Sequence, residues 1–348
     1  METKILEIRQ PDDFHTHLRW AEMLETVLSF TARVFARAVV MPNLIEQDMV
    51  LTARHVTDYY HAIKGACHRL SLPDQFESLM TIRIVPQTTP KVIDRAKAAG
   101  ANVGKLYPDG VTHGSQGGVS DFKALYPVFT MMQELGMVLS IHCELPGVSE
   151  MEAEAAFIPV LVDLIKNFPN LRIVVEHVSS SAMVDFLLGA PKTVGATITA
   201  HHLVLTYDQV YQDGKIRWPH HYCKPVAKTE ADQRYLVRMA ISGNPRFWFG
   251  SDTAPHPRAN KERDKPAAGV FSAPVALPVL AAAFEAAGAL DRLENFVARF
   301  GAEFYGLPQN QGRITLRREP WKVPEEYGSF VKVVPLMAGQ ELPWRVIA

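Results

Sequence analysis

Five side chains of ligand type stand at the ends of short apolar runs. His15 and His17 close DDFHTH, His142 closes VLSIH, His177 closes RIVVEH and Asp252 closes FWFGSD. Residues two apart on an extended strand project to the same side, so the His15 and His17 imidazoles can reach one ion. Taken alone, a His-x-His pair also arises by chance in loops, and a single core histidine is readily satisfied by a backbone hydrogen bond. Four histidines and a carboxylate, distributed over four run ends, have little structural purpose as a set. Imidazole with carboxylate suits zinc, or manganese, nickel or cobalt in its place, rather than the all-oxygen preference of calcium or magnesium. The chemistry such ions bring is hydrolysis by a metal-activated hydroxide near neutral pH.

Lys105 in NVGKLYP also ends an apolar run, where an ammonium would repel cations. It reads either as a contact for a substrate carboxylate, as a surface strand end, or as a neutral lysine that takes up carbon dioxide to form a carbamate between two metals. Arg19 lies two residues beyond His17, and a guanidinium fork matches a carboxylate.

These side chains need a frame that brings run ends together. Short β-branched runs near 13–17, 38–41, 81–85, 102–106, 137–142, 172–177, 193–199 and 246–252 alternate with helical periodicity over 51–65, 89–99, 121–135, 152–167, 180–188 and 230–242. That alternation marks a parallel α/β fold. Eight strands with helical crossovers predict a (β/α)8 TIM-type barrel, with a doubly wound open sheet as the alternative. In a barrel the C-terminal strand ends meet at one mouth, where the ligand-type residues would converge. With no internal repeat or long linker, 1–348 reads as a single domain, with a barrel core over 11–306 and a short C-terminal extension over 307–348 packed outside it. Helices over 273–288 and 291–299 would close the barrel. RITL and SFVKVVPL in the extension read as short strands. The polar stretch 201–228 would sit over the mouth.

Composition limits the partners. The 348 residues are 47% apolar, enough for a sizeable core, and 36 basic against 37 acidic side chains leave a net charge of -1. No single-sign field exists to hold nucleic acid or an anionic membrane. METKILEIRQPDDF lacks the basic stretch and apolar run of a signal peptide, and no segment reaches about 18 uninterrupted apolar residues. A cytoplasmic location is expected. Cys67, Cys143 and Cys223 are too few and too scattered for a disulfide framework. Cys143 adjoins His142 but would face the other way, as a buried structural thiol.

The motifs PDDFHTHLR, VVMPN, GKLYP, SIHCE, EHVSS, CKP and GSDTAPH, in this order and at these spacings, closely resemble the dihydroorotases of the amidohydrolase superfamily, of the single-domain bacterial and fungal type. The likeness runs over 11–271. It implies two Zn2+ per subunit, bridged by Lys105 as N6-carboxylysine and by a hydroxide. One ion would be held by His15, His17, Lys105 and Asp252, the other by Lys105, His142 and His177. Asp252 would also be the catalytic proton carrier. The implied reaction is the reversible cyclisation of N-carbamoyl-L-aspartate to L-dihydroorotate and water in de novo pyrimidine (UMP) biosynthesis, by a homodimer.

The resemblance further assigns Arg19, Asn43 and His256 to the substrate carboxylate, and main-chain groups near Lys224 and Ala268 to the pyrimidine ring. Thr112 and His113 would contact substrate from a glycine-rich lid over 108–118. His113 departs from the usual second threonine, and Lys224 stands where some relatives carry leucine. The nearest rival is a hydantoinase or dihydropyrimidinase with the same metal ligands, although a neutral ring gives Arg19 nothing to pair with. A non-catalytic interaction protein on the same scaffold is the rival from another class; such proteins typically lose ligands, and all six positions are present here. His201, His202, His220, His221 and the charge run 258–265 read as surface or supporting features.

Overall fold

The computed structural model describes residues 4–44, 49–112 and 115–347. Eight parallel strands run Asp12–Thr16, Arg37–Val40, Glu77–Ile84, Val103–Leu106, Val138–Ile141, Arg172–Val175, Val194–Ile198 and Phe247–Phe249, each beside the next in chain order. The first and last strands meet through a parallel bridge from Thr16 to Thr253 and a 2.9 Å hydrogen bond from the His17 N–H to the Thr253 carbonyl. Chain-order neighbours and this closure make the barrel and exclude the doubly wound alternative, whose strand order reverses.

Alternation along each strand decides what the barrel encloses. Val103, Val138 and Val174 point inward with Phe14, Val39, Leu79 and Trp248, and this lower layer is plugged by Phe300 and Tyr305. Leu106, Leu139, Ile141, Ile173 and Val175 point outward into the helical shell. The next inward residues toward the mouth are therefore Lys105, Ser140 and Glu176. In the first strand the pairing register shifts between Asp13 and Thr16. A bulge re-aims side chains, and here Phe14 joins the lower layer while His15 also faces inside.

The helices bury one face each. Ala53–Arg69 starts where the Thr52 hydroxyl accepts from the His55 N–H, and it buries Val56, Tyr59, Ile63, Ala66 and Cys67 at helical spacing. Helix Ala21–Ala32 is not among the expected elements, although Leu24, Val27, Leu28 and Thr31 carry the same period. The expected helix over 291–299 is helical throughout but not regular: a 3-10 turn, Leu290–Arg292, leads through 293–294 into a π-helical segment, Asn295–Arg299, that continues as helix Phe300–Tyr305 into the barrel base.

The C-terminal extension lies outside the barrel. Arg313–Lys322, which includes RITL, pairs antiparallel with Glu341–Ile347 and with the N-terminal strand Ile5–Arg9, against helix Ala276–Ala286. SFVKVVPL is not a strand. It makes only isolated bridges, Tyr327 to Val333 and Phe271 to Pro335, and its Val333 packs with Val27, Phe271 and Ala273. Among the described residues, no helix is long and apolar enough to cross a membrane.

Candidate metal centre

All five ligand-type residues arrive at one mouth. His15 lies in the first strand and His17 just past it; His142, His177 and Asp252 follow the strands Val138–Ile141, Arg172–Val175 and Phe247–Phe249. Every one is buried. His15 Nε2 and His17 Nε2 each stand 3.3 Å from Asp252 Oδ1. A tetrahedral ion with bonds of about 2.0–2.1 Å has ligand–ligand edges of about 3.3 Å, so this triangle already has the size of a zinc face. The His142 and His177 ring centroids lie 4.7 Å apart, and those of His15 and His177 lie 5.2 Å apart. His177 and Asp252 adopt positive φ, 43° and 40°. Such strain in non-glycine residues persists where surroundings over-determine it and often marks function.

Lys105 lies beneath this group with none of its surface exposed, and its Nζ has no hydrogen-bond partner. Burial lowers its pKa, with Glu176 and Asp252 opposing, which favours the neutral amine able to accept carbon dioxide. His177 Nδ1 is likewise buried without a partner. Orphaned nitrogens facing a two-imidazole, one-carboxylate triangle fit a metal centre better than a packed core, where buried polar atoms are paired.

Three carboxylates not singled out in the sequence hold the ligands. Glu176 Oε2 accepts from His15 Nδ1 at 2.7 Å, and Glu176 also accepts from Ser140 Oγ and Thr197 Oγ1, both at 2.6 Å. Burial would raise its pKa, but His15, Lys105 and Ser140 outweigh it and hold the carboxyl at about 2. Glu144 Oε2 lies 2.6 Å from His142 Nε2, leaving Nδ1 as the nitrogen available to an ion. Asp13 accepts from the Ser251 N–H and hydroxyl at 2.8 and 2.6 Å and from the His15 N–H at 3.1 Å, tying the first strand to the turn that carries Asp252. Carboxylates behind ligating histidines fix tautomer and orientation. Two of the three had a signal in the sequence, Glu176 beside His177 in EHV and Glu144 two residues from His142 in HCE.

A cavity of about 640 Å³ opens above the cluster, with His15, His17, His142, His177 and Asp252 in its walls. Arg19, Asn43 and His256 form one side. Arg19, at φ 62°, donates from Nε to the Pro255 carbonyl at 2.9 Å and from Nη1 to the Asn43 carbonyl at 3.3 Å, and its Nη2 lies 3.2 Å from His256 Nε2. The same His256 nitrogen is 3.0 Å from the Ala268 carbonyl. Thr112, Lys224 and Ala268 complete the opening. The Thr112 N–H donates to Ser115 Oγ at 2.9 Å, and the Lys224 ammonium pairs with Glu150. His113 lies outside the described residues.

A second group of ligand-type side chains, His201, His202 and Cys223, lies buried nearby. His202 already uses both ring nitrogens, with Thr199 Oγ1 at 3.0 Å and the Pro225 carbonyl at 3.1 Å. Cys223 donates to that same carbonyl, and burial pushes its thiol up to about 12. With a protonated thiol and an occupied imidazole, His201, whose two buried ring nitrogens have no hydrogen-bond partner, is the one member of this group with nitrogens to offer, and His201 and His202 belong to the interior rather than the surface. In the charge run, Lys261 is buried too. Cys143, also buried, turns its thiol toward the Ile141 carbonyl.

Comparison with known proteins gives a consistent result. The amidohydrolase family model matches residues 13–288. A dihydroorotase of Coxiella burnetii is 43% identical over 349 residues, covering 99% of this chain and 98% of its own. The crystal structure of a dihydroorotase from Campylobacter jejuni is similar with a TM-score of 0.89 at 36% identity, covering 99% of this chain and 98% of that one. A dihydroorotase of Saccharomyces cerevisiae in complex with 5-fluoroorotic acid has a TM-score of 0.90 at 34% identity, with coverage of 99% and 98%.

Proposed function

The chain belongs to the amidohydrolase family and, within it, to the dihydroorotases, and on that premise we propose that the mouth cavity interconverts N-carbamoyl-L-aspartate and L-dihydroorotate in pyrimidine biosynthesis. The observation that carries this reading is the placement of Arg19 and His256, 3.2 Å apart, on the wall of the cavity that holds His15, His17 and Asp252. One part of the cavity suits a carboxylate and the other a hydrolytic metal centre.

Metal dependence comes with the family. The finer reading is two zinc ions, one held by His15, His17, Lys105 and Asp252 and the other by Lys105, His142 and His177, with Lys105 carboxylated between them. When bound, the ions would supply polarisation of the ring carbonyl and a nucleophile at neutral pH.

The chain's own groups do the rest. On ring opening, the Asp252 carboxylate takes the proton of the attacking water and delivers it to the departing ring nitrogen; on closure it returns that proton. Atoms balance as addition of one water across the amide C–N bond. The Arg19 fork, with Asn43 and His256, grips the carboxylate that does not react. Main chain at Ala268 and Lys224 faces the ring, and Thr112 and His113, from the loop over 108–118, are the remaining substrate contacts of this reading. Glu176 and Glu144 keep the His15 and His142 rings oriented.

The rest of the reading is one domain over 1–348, a homodimer and a cytoplasmic location. The three cysteines are free and buried, which suits a reducing compartment. An absorbance assay with dihydroorotate, run in parallel with hydantoin and dihydrouracil and before and after chelation, tests the proposal. Turnover of dihydroorotate that chelation abolishes is expected. Turnover of hydantoin without dihydroorotate would overturn the substrate, and full activity in metal-free protein would overturn the centre.

A further inference from the structure

Lys261 ends the short helix Arg258–Lys261, and it is 3% exposed although the three residues before it are exposed. No carboxylate pairs with it among the described residues. Its Nζ instead donates to three main-chain carbonyls: Tyr222 at 3.0 Å, Ala267 at 2.8 Å and Gly269 at 2.6 Å. Three carbonyls converging on one point demand three donors on one atom, which among side chains only an ammonium supplies.

The two segments tied in this way both reach the cavity. Tyr222 leads to Lys224, and Ala267 and Gly269 flank Ala268, whose carbonyl meets His256 Nε2 at 3.0 Å. The segments are also joined directly, by the Gly269 N–H to the Tyr222 carbonyl at 2.9 Å. Position 269 admits only glycine: at φ 147° a Cβ would meet the Ala254 carbonyl at 2.4 Å, so the loop passes close against Ala254 here. Lys261 itself is not among the cavity's lining residues, so it acts through these loops rather than on the substrate.

We propose that Lys261 is a positioning residue of the substrate pocket: its ammonium locks the main chain at Tyr222, Ala267 and Gly269 and thereby sets where Ala268 and Lys224 present their backbone groups to the substrate ring. This rests on the reading of Ala268 and Lys224 as ring contacts.

The test is steady-state kinetics of Lys261→Met and Lys261→Gln beside the unsubstituted protein, with metal content measured in each. A loop loosened away from the reacting centre raises KM for dihydroorotate by about tenfold in Lys261→Met, with kcat within about twofold and metal content unchanged. Lys261→Gln, whose amide keeps two N–H donors, shows a smaller rise. In Lys261→Ala, added methylammonium restores KM, whereas tetramethylammonium, which has no N–H, does not. Unchanged KM in the variants, or a fall in kcat alone, overturns the assignment. If Lys261→Met does not fold, the Gln variant and the methylammonium rescue decide. If the unsubstituted protein opens hydantoin and not dihydroorotate, the substrate reading fails by itself, and the same KM comparison on hydantoin decides the role of Lys261.

Discussion

His15 Nδ1 lies 2.7 Å from Glu176 Oε2, and this hydrogen bond selects Nε2 as the His15 nitrogen that faces Asp252. The pair joins the first and sixth strands across the barrel interior. In Glu176→Gln the fold is retained, because the amide still packs between Ser140 and Thr197, but the ionised acceptor for His15 is lost. Zinc affinity, measured by competition with a chelator, is expected to fall by about 10–100-fold. Unchanged affinity would show that the carboxylate does not support the centre.

Lys105→Ala removes the buried amine whose Nζ has no partner. Activity is expected to fall by at least about a hundredfold, since the nucleophile and the electrophile both depend on the assembled centre. On the proposed reading of Lys105 as a carboxylated bridge, acetate or propionate should restore part of it by standing in for the carbamate. Rescue that fails with both acids would argue against a carboxylated Lys105.

Arg19→Met removes the bonds that Arg19 donates to the Pro255 and Asn43 carbonyls and, on the proposed reading, the fork that grips the substrate carboxylate. The loss of charge-assisted hydrogen bonds is worth about 3 kcal/mol, so KM for dihydroorotate should rise about a hundredfold. Arg19→Lys should restore little, because an ammonium cannot form the planar fork. Similar KM values for all three proteins would remove Arg19 from the pocket.

Glu285 joins the extension to the barrel shell, accepting from Lys4 Nζ at 3.0 Å, Arg318 Nε at 3.0 Å and Trp344 Nε1 at 2.9 Å. Burial opposes its ionisation, but these donors prevail and hold the carboxyl at about 2 against an ordinary 4.5. A depressed carboxyl stabilises the fold in full above its unfolded value and loses that contribution as pH falls through the folded one. Glu285→Gln should therefore cost about 1 kcal/mol at neutral pH. Denaturant midpoints of the two proteins should converge as pH drops from 4.5 toward 2, and a constant gap would refute the linkage.

Gly301 sits where the plug helix meets the barrel base, and a Cβ there would lie 2.2 Å from the Phe14 ring and 2.7 Å from Trp248. Overpacking of this kind costs about 2 kcal/mol. Gly301→Ala is expected to unfold at lower denaturant with its zinc affinity unchanged. A loss of zinc affinity without a loss of stability would contradict the separation of base and mouth.

The eight strands are legible because β-branched runs alternate with helical periods, and the residues of the candidate centre are legible because they close those runs. The tail was harder. Ile5–Arg9 pairs with Arg313–Lys322 across almost the whole chain, so neither strand's partner is visible from its neighbours. SFVKVVPL has strand composition but meets no neighbouring strand along its length, and its Val333 is buried by side chains instead.

The same division runs through the site. Residue types and the run-end rule sufficed to name His15, His17, His142, His177 and Asp252, because strand ends in a barrel converge whatever the loops do. The direction of each side chain was decided only in three dimensions. The bulge between Asp13 and Thr16 turns His15 inward beside Phe14, and the burial of Lys105 Nζ follows from its parity with Val103. Glu176 reaches His15 across 161 residues of chain, and Lys261, written within a charged and otherwise exposed stretch, is drawn inside by three carbonyls from two separate loops. Periodicity is a property of neighbours in sequence, whereas hydrogen bonds that orient a site join residues that only the closed barrel makes neighbours.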